Sequence, residues 1–449
     1  MLIKTSNIKL INFLETLFKG FFFLLFSFPI LPHSVQSITI ISFSLLAVIL
    51  YNENFKIRLL KYGYRSFIYS TSWFLFFIIT LLYSSNIEEG INQILKCISL
   101  LLLPFIFYFF TPSSYFKDLK KVGIVFILSN CIFLLIVYLR VIWVNSMTCF
   151  PELQLMGWLE KIVFIIKKNN TIIFSCYNLE EKGVFLLHKV YTSMNLMWCL
   201  ILLYFFLLKE KARLIIIGLI SVIIFFVLFL LFQRSVVNVT LLMLFASFWY
   251  FYFVKSKLNR VKRIIVVSLT AVTISSLIFK FEIHKLNFVS KDVVPALKFI
   301  KSINDGKVVE GSDERWYLNL TNIELIKKNP IFGQGIGDVQ DELNKVYNEK
   351  KDKNIAYKKA YEEELNSHNY FAYVLQTGGL IAFGLFCWML LYYFKISYTA
   401  LDILFLSFLI VLITNMLFEN ILYRINGILF MTLFSSFLLM KNILVKENE

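Results

Sequence analysis

Residues 214–232 read LIIIGLISVIIFFVLFLLF: nineteen consecutive positions without a charge, entered from Lys209, Lys211 and Arg213 and left through Gln233-Arg234. About 20 apolar residues in a helix match the hydrocarbon thickness of a bilayer. In that medium only a helix satisfies the backbone of one continuous run. Outward from this stretch, similar runs cover 12–31, 35–51, 67–83, 91–110, 122–144, 190–208, 235–254, 264–280, 370–394, 401–418 and 425–440, twelve predicted spans in all. Composition agrees: 58% of the 449 residues are hydrophobic, 49 are Phe, and only 16% are charged, against about 25% in a soluble domain. An ordinary cytosolic enzyme, a disordered chain and a secreted disulfide scaffold are excluded. The expected fold is an all-α polytopic membrane protein of about 12 transmembrane helices with a large helical loop outside the bilayer.

The net charge of +16 would suit a nucleic-acid partner, but its distribution does not. Lys56, Arg58, Lys61 and Arg65, then Lys117, Lys120 and Lys121, then Lys209, Lys211 and Arg213 lie on alternate connections. Lys255, Lys257, Arg260, Lys262, Arg263, Lys395, Lys441 and Lys446 continue the series, which is the positive-inside pattern. The opposite connections at 32–34 and 84–90 hold no Lys or Arg. Both termini are therefore expected in the cytoplasm, and the two long polar segments outside. The chain divides into helices 1–5 (1–144), a first outer loop (145–189), helices 6–9 (190–280), a large outer loop (281–369), and helices 10–12 with a tail (370–449). The first outer loop carries an apolar stripe over 151–168, predicting a helix in the membrane interface or packed on the bundle. No cleavable signal pattern is read, and the first run reads as a retained span. Cys97, Cys131, Cys199 and Cys387 fall in apolar runs and read as small hydrophobes, while Cys149 and Cys176 share the first loop and can pair if it is oxidising.

In the large loop, Ser312 or Asp313 can cap a helix from Glu314 to about Asn329, with Trp316, Leu320, Ile323 and Ile326 on its apolar face. Pro330 ends it, Gly333-Gln334-Gly335-Ile336-Gly337 follows, and Asp338 can start another helix through Leu343 and Val346. This glycine pattern lacks the Lys-Ser/Thr of a nucleotide-binding loop and the spacing of a dinucleotide fold. It reads as a turn, one that permits close approach of a backbone or a ligand. No His, Cys, Asp or Glu spacing implies a metal, and no cofactor is called for.

Arg234 and Arg424 stand at the outer ends of spans, where the topology rule disfavours cations. A charge beside the hydrocarbon is a functional candidate, with snorkelling to headgroups as its plain alternative. Glu419 is a possible partner for Arg424. With His188, Tyr191, Arg315, His368 and Asn369, these form a set of polar groups on the outer side. Several guanidinium groups suit a membrane-held phosphate, and a neutral imidazole can take a proton from a hydroxyl.

Glu314-Arg315-Trp316, Lys328-Asn329-Pro330-Ile331-Phe332-Gly333-Gln334-Gly335-Ile336-Gly337, Ser367-His368-Asn369-Tyr370 and Gly378-Gly379 resemble the signature of the O-antigen ligase and O-antigen polymerase superfamily. His188-x-x-Tyr191-x-Ser193, Gln233-Arg234-Ser235 and Glu419-Asn420-x-Leu422-x-Arg424-x-x-Gly427 resemble its further motifs, especially in ligase-like members. The resemblance runs from about residue 185 to the end, and the N-terminal third shares only hydropathy. It implies a metal-independent, inverting glycosyltransferase at the periplasmic face of a bacterial inner membrane. The donor it implies is a glycan on undecaprenyl pyrophosphate. The implied acceptor is a sugar hydroxyl, on lipid A–core for a ligase or on another lipid-linked repeat for a polymerase. By the same resemblance His368 activates or orients the acceptor, Arg234 and Arg315 hold the pyrophosphate, and His188, Tyr191, Asn369, Arg424, Gly335 and Gly337 support substrate binding.

The ligase-like motifs favour a ligase over a polymerase, with a protein O-oligosaccharyltransferase as a third member of the set. A polysaccharide flippase also has about twelve spans, but needs ionisable groups or broken helices near mid-membrane. Here the unusual polar residues gather at the outer ends.

Overall fold

A computed structural model describes residues 2–58, 63–140, 146–158, 160–164, 189–209, 314–352 and 355–447. His188, Arg234, Cys176 and the predicted spans at 214–232, 235–254 and 264–280 lie outside the described residues. The main helices are α1 (Leu2–Leu25), α2 (His33–Arg58), α3 (Tyr64–Thr80), α4 (Ile87–Cys97), α5 (Ser99–Phe109), α6 (Leu119–Arg140) and α7 (Lys189–Lys209). They continue with α8 (Glu314–Lys328), α9 (Val339–Lys350), α10 (Ile355–Glu362), α11 (Tyr370–Thr399), α12 (Ile403–Phe418) and α13 (Ile425–Glu447). No strand occurs among the described residues.

Six stretches of the described residues are long and apolar enough to cross a membrane: His33–Arg58, Tyr64–Tyr83, Ile87–Phe109, Leu119–Val137, Tyr370–Thr399 and Ile425–Leu444. Val190–Leu203 and Ile403–Phe418 are shorter apolar helices. The side chains are sorted for lipid. On α2, Gln36 and Thr39 are each 2% exposed while Ile38 and Ile41 are 60% and 55% exposed. Polar groups turn inward to find partners, and aliphatic ones cover the outside, the reverse of a soluble helix. The protein is an all-α polytopic membrane protein.

Some boundaries differ from the sequence reading. The run at 12–31 is the end of α1, which stops at Leu25 and is followed by a 3₁₀ turn over Phe28–Ile30 containing Pro29. The run at 91–110 is two helices meeting at Ile98. A single helix over 151–168 does not form. Met156 is extended (ψ 148), and Gly157 restarts the helix, its N–H donating to Glu160 Oε2 at 3.1 Å. That bond is half of a capping box, which ends one helix and begins another. Residues 165–168 lie outside the described residues.

α13 is the axis of the bundle, buried at every residue from Asn426 to Met440. Phe434 packs edge-on to Phe26, Phe126 and Trp198, and Phe437 to Phe26. Short connections make neighbouring helices antiparallel and give the bundle two distinct ends. At one end Arg58 donates to Ser113 Oγ at 3.0 Å, and Lys441 pairs with Asp402 at 2.7 Å. At the other end Gln36 donates to Asn426 Oδ1 at 3.1 Å, and residues 84–86 meet α9 and the turn before it.

Candidate active site

The site builds from a broken helix. Inside α11, Gly379 has φ 62 and ψ −157, so the helix stops and restarts there. Carbonyls before the break and N–H groups after it lose their helical partners. The turn after α8 supplies replacements. Gln334 N–H donates to Gln376 O at 2.7 Å and Gly335 N–H to Thr377 O at 3.0 Å. In return Leu380 N–H donates to Pro330 O at 2.8 Å. The turn therefore plugs the break and fixes α8 against α11.

The glycines of the turn are spaced for this contact. A Cβ on Gly333 would overlap the backbone of Thr377, one on Gly335 would overlap Ser84 Oγ, and one on Gly337 the Asn86 carbonyl. Gly335 and Gly337 thus lie where the chain itself makes the close approach. Asp338 stands at the N-cap of α9, as expected, yet its carboxylate does not cap α9. Its oxygens accept from the N–H groups of Ser85 at 2.7 Å and Asn86 at 2.8 Å. Asn86 in turn caps α4 through Glu89 N–H at 3.1 Å. A buried chain of amides completes the frame: Gln376 Nε2 donates to Asn322 Oδ1 at 2.8 Å, and Asn322 Nδ2 to Ser367 O at 2.9 Å.

That frame holds His368. Its φ is 45, a left-handed conformation that few side-chain-bearing residues adopt. Its N–H donates to Asn366 Oδ1 at 2.9 Å, and the next residue, Asn369, caps α11 by accepting from Ala372 N–H at 3.1 Å. The ring is carried away from α11 toward the end of α12, where His368 Nδ1 lies 2.9 Å from Glu419 Oε2. The imidazole is 29% and the carboxylate 14% exposed. A carboxylate accepts hydrogen bonds and does not donate, so a neutral His368 carries its proton on Nδ1. The Nε2 lone pair is left to act as a base.

Glu419 is the residue whose role the sequence reading did not find. It was read as a possible partner for Arg424, and the structure shows in addition its carboxylate against His368 Nδ1. Its signal was an acid at the mouth of an apolar helix. Arg424, five residues on, is exposed. Its charge and that of Glu419 both act on the phenol of Tyr191. Tyr191, 5% exposed at the start of α7, donates to Ile421 O at 3.2 Å. Gly427 makes that packing possible, because a Cβ there would overlap both Ile421 O and the Tyr191 ring. His368, Asn369, Glu419, Arg424 and Tyr191 thus gather at one end of the bundle. Arg315 lies in the first turn of α8, seven residues before Asn322, or about 10 Å along the axis.

An oriented imidazole whose Nε2 has no partner among the described residues, at the same end of the bundle as an exposed guanidinium, suits proton removal from a hydroxyl near an anionic group. Residues 198–387 match the family model described as O-Antigen ligase. No curated protein matches the chain. The match takes in the plugging turn, the helix break at Gly379 and His368, and it supports the resemblance to the O-antigen ligase and polymerase superfamily that the motifs carry.

Proposed function

We propose that the protein is a ligase-like glycosyltransferase. It moves a glycan from undecaprenyl pyrophosphate to a sugar hydroxyl of lipid A–core, at the periplasmic face of a bacterial inner membrane. The observation that carries this reading is the 2.9 Å pair between His368 Nδ1 and Glu419 Oε2, which leaves Nε2 to receive a proton. The acceptor oxygen attacks the anomeric carbon of the donor sugar from the face opposite the pyrophosphate. A new carbon–oxygen bond forms while the bond to pyrophosphate breaks, inverting the configuration. The hydroxyl proton passes to Nε2 and the bonding pair leaves with the pyrophosphate. Pyrophosphate departs as a stable anion, so no general acid is required. Arg234 and Arg315 hold that anion, since guanidinium binds phosphate oxygens in pairs and stays charged. Arg424, with His188 and Tyr191, supports the donor. The polyprenyl tail lies against the apolar exterior of the bundle, where its burial adds to binding.

A deletion strain tests the reading by its lipopolysaccharide gel and its lipid-linked glycans. Long polymer stranded on the lipid carrier over a bare core is the expected result. Core bearing a single repeat makes the protein a polymerase, and an unchanged ladder rejects both. His368→Ala is expected to give the deletion phenotype at normal membrane abundance, and full transfer by that variant would remove His368 from the chemistry.

A further inference from the structure

The two residues before His368 also line a second feature. Asn366 and Ser367 form one wall of a narrow slot, and Glu89 and Gln93 of α4 with Tyr373 and Tyr423 form another. The slot leaves about 10 Å³ for a water-sized group, enough for roughly one. Gln93 is 3% exposed. Its Nε2 donates to Glu89 Oε1 at 2.5 Å and to Tyr423 Oη at 2.7 Å. Glu89 can only accept, so the nitrogen must face it and the amide orientation is fixed. The other atom, Gln93 Oε1, has no hydrogen-bond partner among the described residues. Other buried amide oxygens among the described residues also lack a partner, but this one belongs to a residue that lines a slot wide enough for a donor group.

Tyr423 has the complementary need. Burial, and then the Glu89 carboxylate, push its phenol above the usual range, so it keeps its proton. Its oxygen accepts from Gln93, which leaves the O–H to donate. One hydroxyl group answers both atoms, donating to Gln93 Oε1 and accepting from Tyr423. Gln93 also sits oddly for a membrane helix. Glu89, Gln93 and Lys96 share one face of α4 at spacings of four and three, and Lys96 lies 5.9 Å over the Tyr423 ring. α4 lies outside the residues that match the family, 198–387.

We propose that this slot is the subsite for a hydroxyl of the acceptor sugar, and that Gln93 is a specificity residue for the acceptor, contributed by the N-terminal part of the chain. The proposal rests on the transfer reading above. In that reading His368 activates the acceptor, and the slot holds the same sugar one residue away.

The test uses the full chain in lipid nanodiscs with the undecaprenyl-pyrophosphate-linked glycan as donor and lipid A–core as acceptor, each titrated against saturating amounts of the other. If the wild type uses a second lipid-linked repeat instead, that repeat is the acceptor titrated. Gln93→Met keeps the length of the side chain and removes its hydrogen bonding. Its acceptor KM is expected to rise about tenfold, the effect of one unmade hydrogen bond, with donor KM and kcat within about twofold of wild type. Gln93→Asn withdraws the amide by one methylene and should give the same split, and it serves where the Met variant fails to accumulate. An unchanged acceptor KM overturns the subsite alone. Equal losses for both substrates, with a lowered unfolding midpoint, also overturn it, because they mean that Gln93 only braces Tyr423. A wild-type protein that transfers to neither acceptor overturns the transfer reading and the subsite with it.

Discussion

His368 is held in a conformation it would not choose. A left-handed φ of 45 in a residue with a Cβ costs on the order of 1 kcal/mol and is tolerated where the surroundings fix it. Here Asn366 binds the backbone N–H, Asn369 caps the helix that follows, and Glu419 receives the ring. Each of these acts on orientation, which is what a base needs if its lone pair is to meet one hydroxyl. The carboxylate also selects the tautomer. Glu419→Gln preserves size but offers an amide N–H that can bond an unprotonated Nδ1, moving the proton to Nε2. Transfer is expected to fall about a hundred- to ten-thousand-fold, with the protein still in the membrane. Wild-type rates in that variant would mean that the contact does not set the tautomer.

At the scale of the element, the decisive feature is an exchange of backbone partners between a broken helix and a glycine turn. Gly379 opens α11, and the 330–335 turn closes it. A second exchange joins Asp338 to the entry of α4, which binds the N-terminal helices to the site. These ties predict different costs. Asp338→Ala leaves two N–H groups short of an acceptor, one of them exposed, and should lower stability by about 1–3 kcal/mol in total. The unfolding midpoint of the detergent-solubilised protein reads this loss. Gly379→Ala is worse, because its φ is positive and a Cβ would overlap the Ile331 carbonyl. Almost no monodisperse protein is expected from it by size-exclusion chromatography. A normal elution profile would show that the plug is dispensable.

At the scale of the molecule, charge and chemistry sit at opposite ends. Arg58, Lys117, Lys121, Lys395 and Lys441 mark one end of the described bundle, and His368, Glu419 and Arg424 the other. The proposed topology, with the site on the side away from the cytoplasm, is the one that follows the positive-inside rule. A cysteine in place of exposed Glu363 is then expected to react with a membrane-impermeant maleimide in cells with a permeabilised outer membrane. One in place of exposed Lys395 should react only after lysis. Cys149 and Cys176 of the first long loop are replaced by serine in both reporters, and among the native thiols described Cys97 and Cys199 are buried and Cys131 and Cys387 half-buried. The opposite labelling pattern would invert the topology and place the site in the cytoplasm.

The helical membrane class was legible from residues 214–232 and the runs like them, because hydrocarbon leaves the backbone of such a run one solution. The Pro330–Gly337 turn and His368–Asn369 were legible as well, since glycine, proline and capping residues act through the local backbone. Where the glycines pointed was not. Gly335 and Gly337 promise close approach of something, and only packing showed that Ser84 and Asn86, some 250 positions away, make it. The same limit hid the role of Glu419. Five residues from Arg424 in sequence, it is 51 from His368, and proximity along the chain gave no sign of the contact with the imidazole. Gln93 stood in a helix that the sequence marked only as apolar. Local propensity is written residue by residue, but a hydrogen bond between distant segments exists only when packing has buried both and removed the water that would otherwise satisfy them.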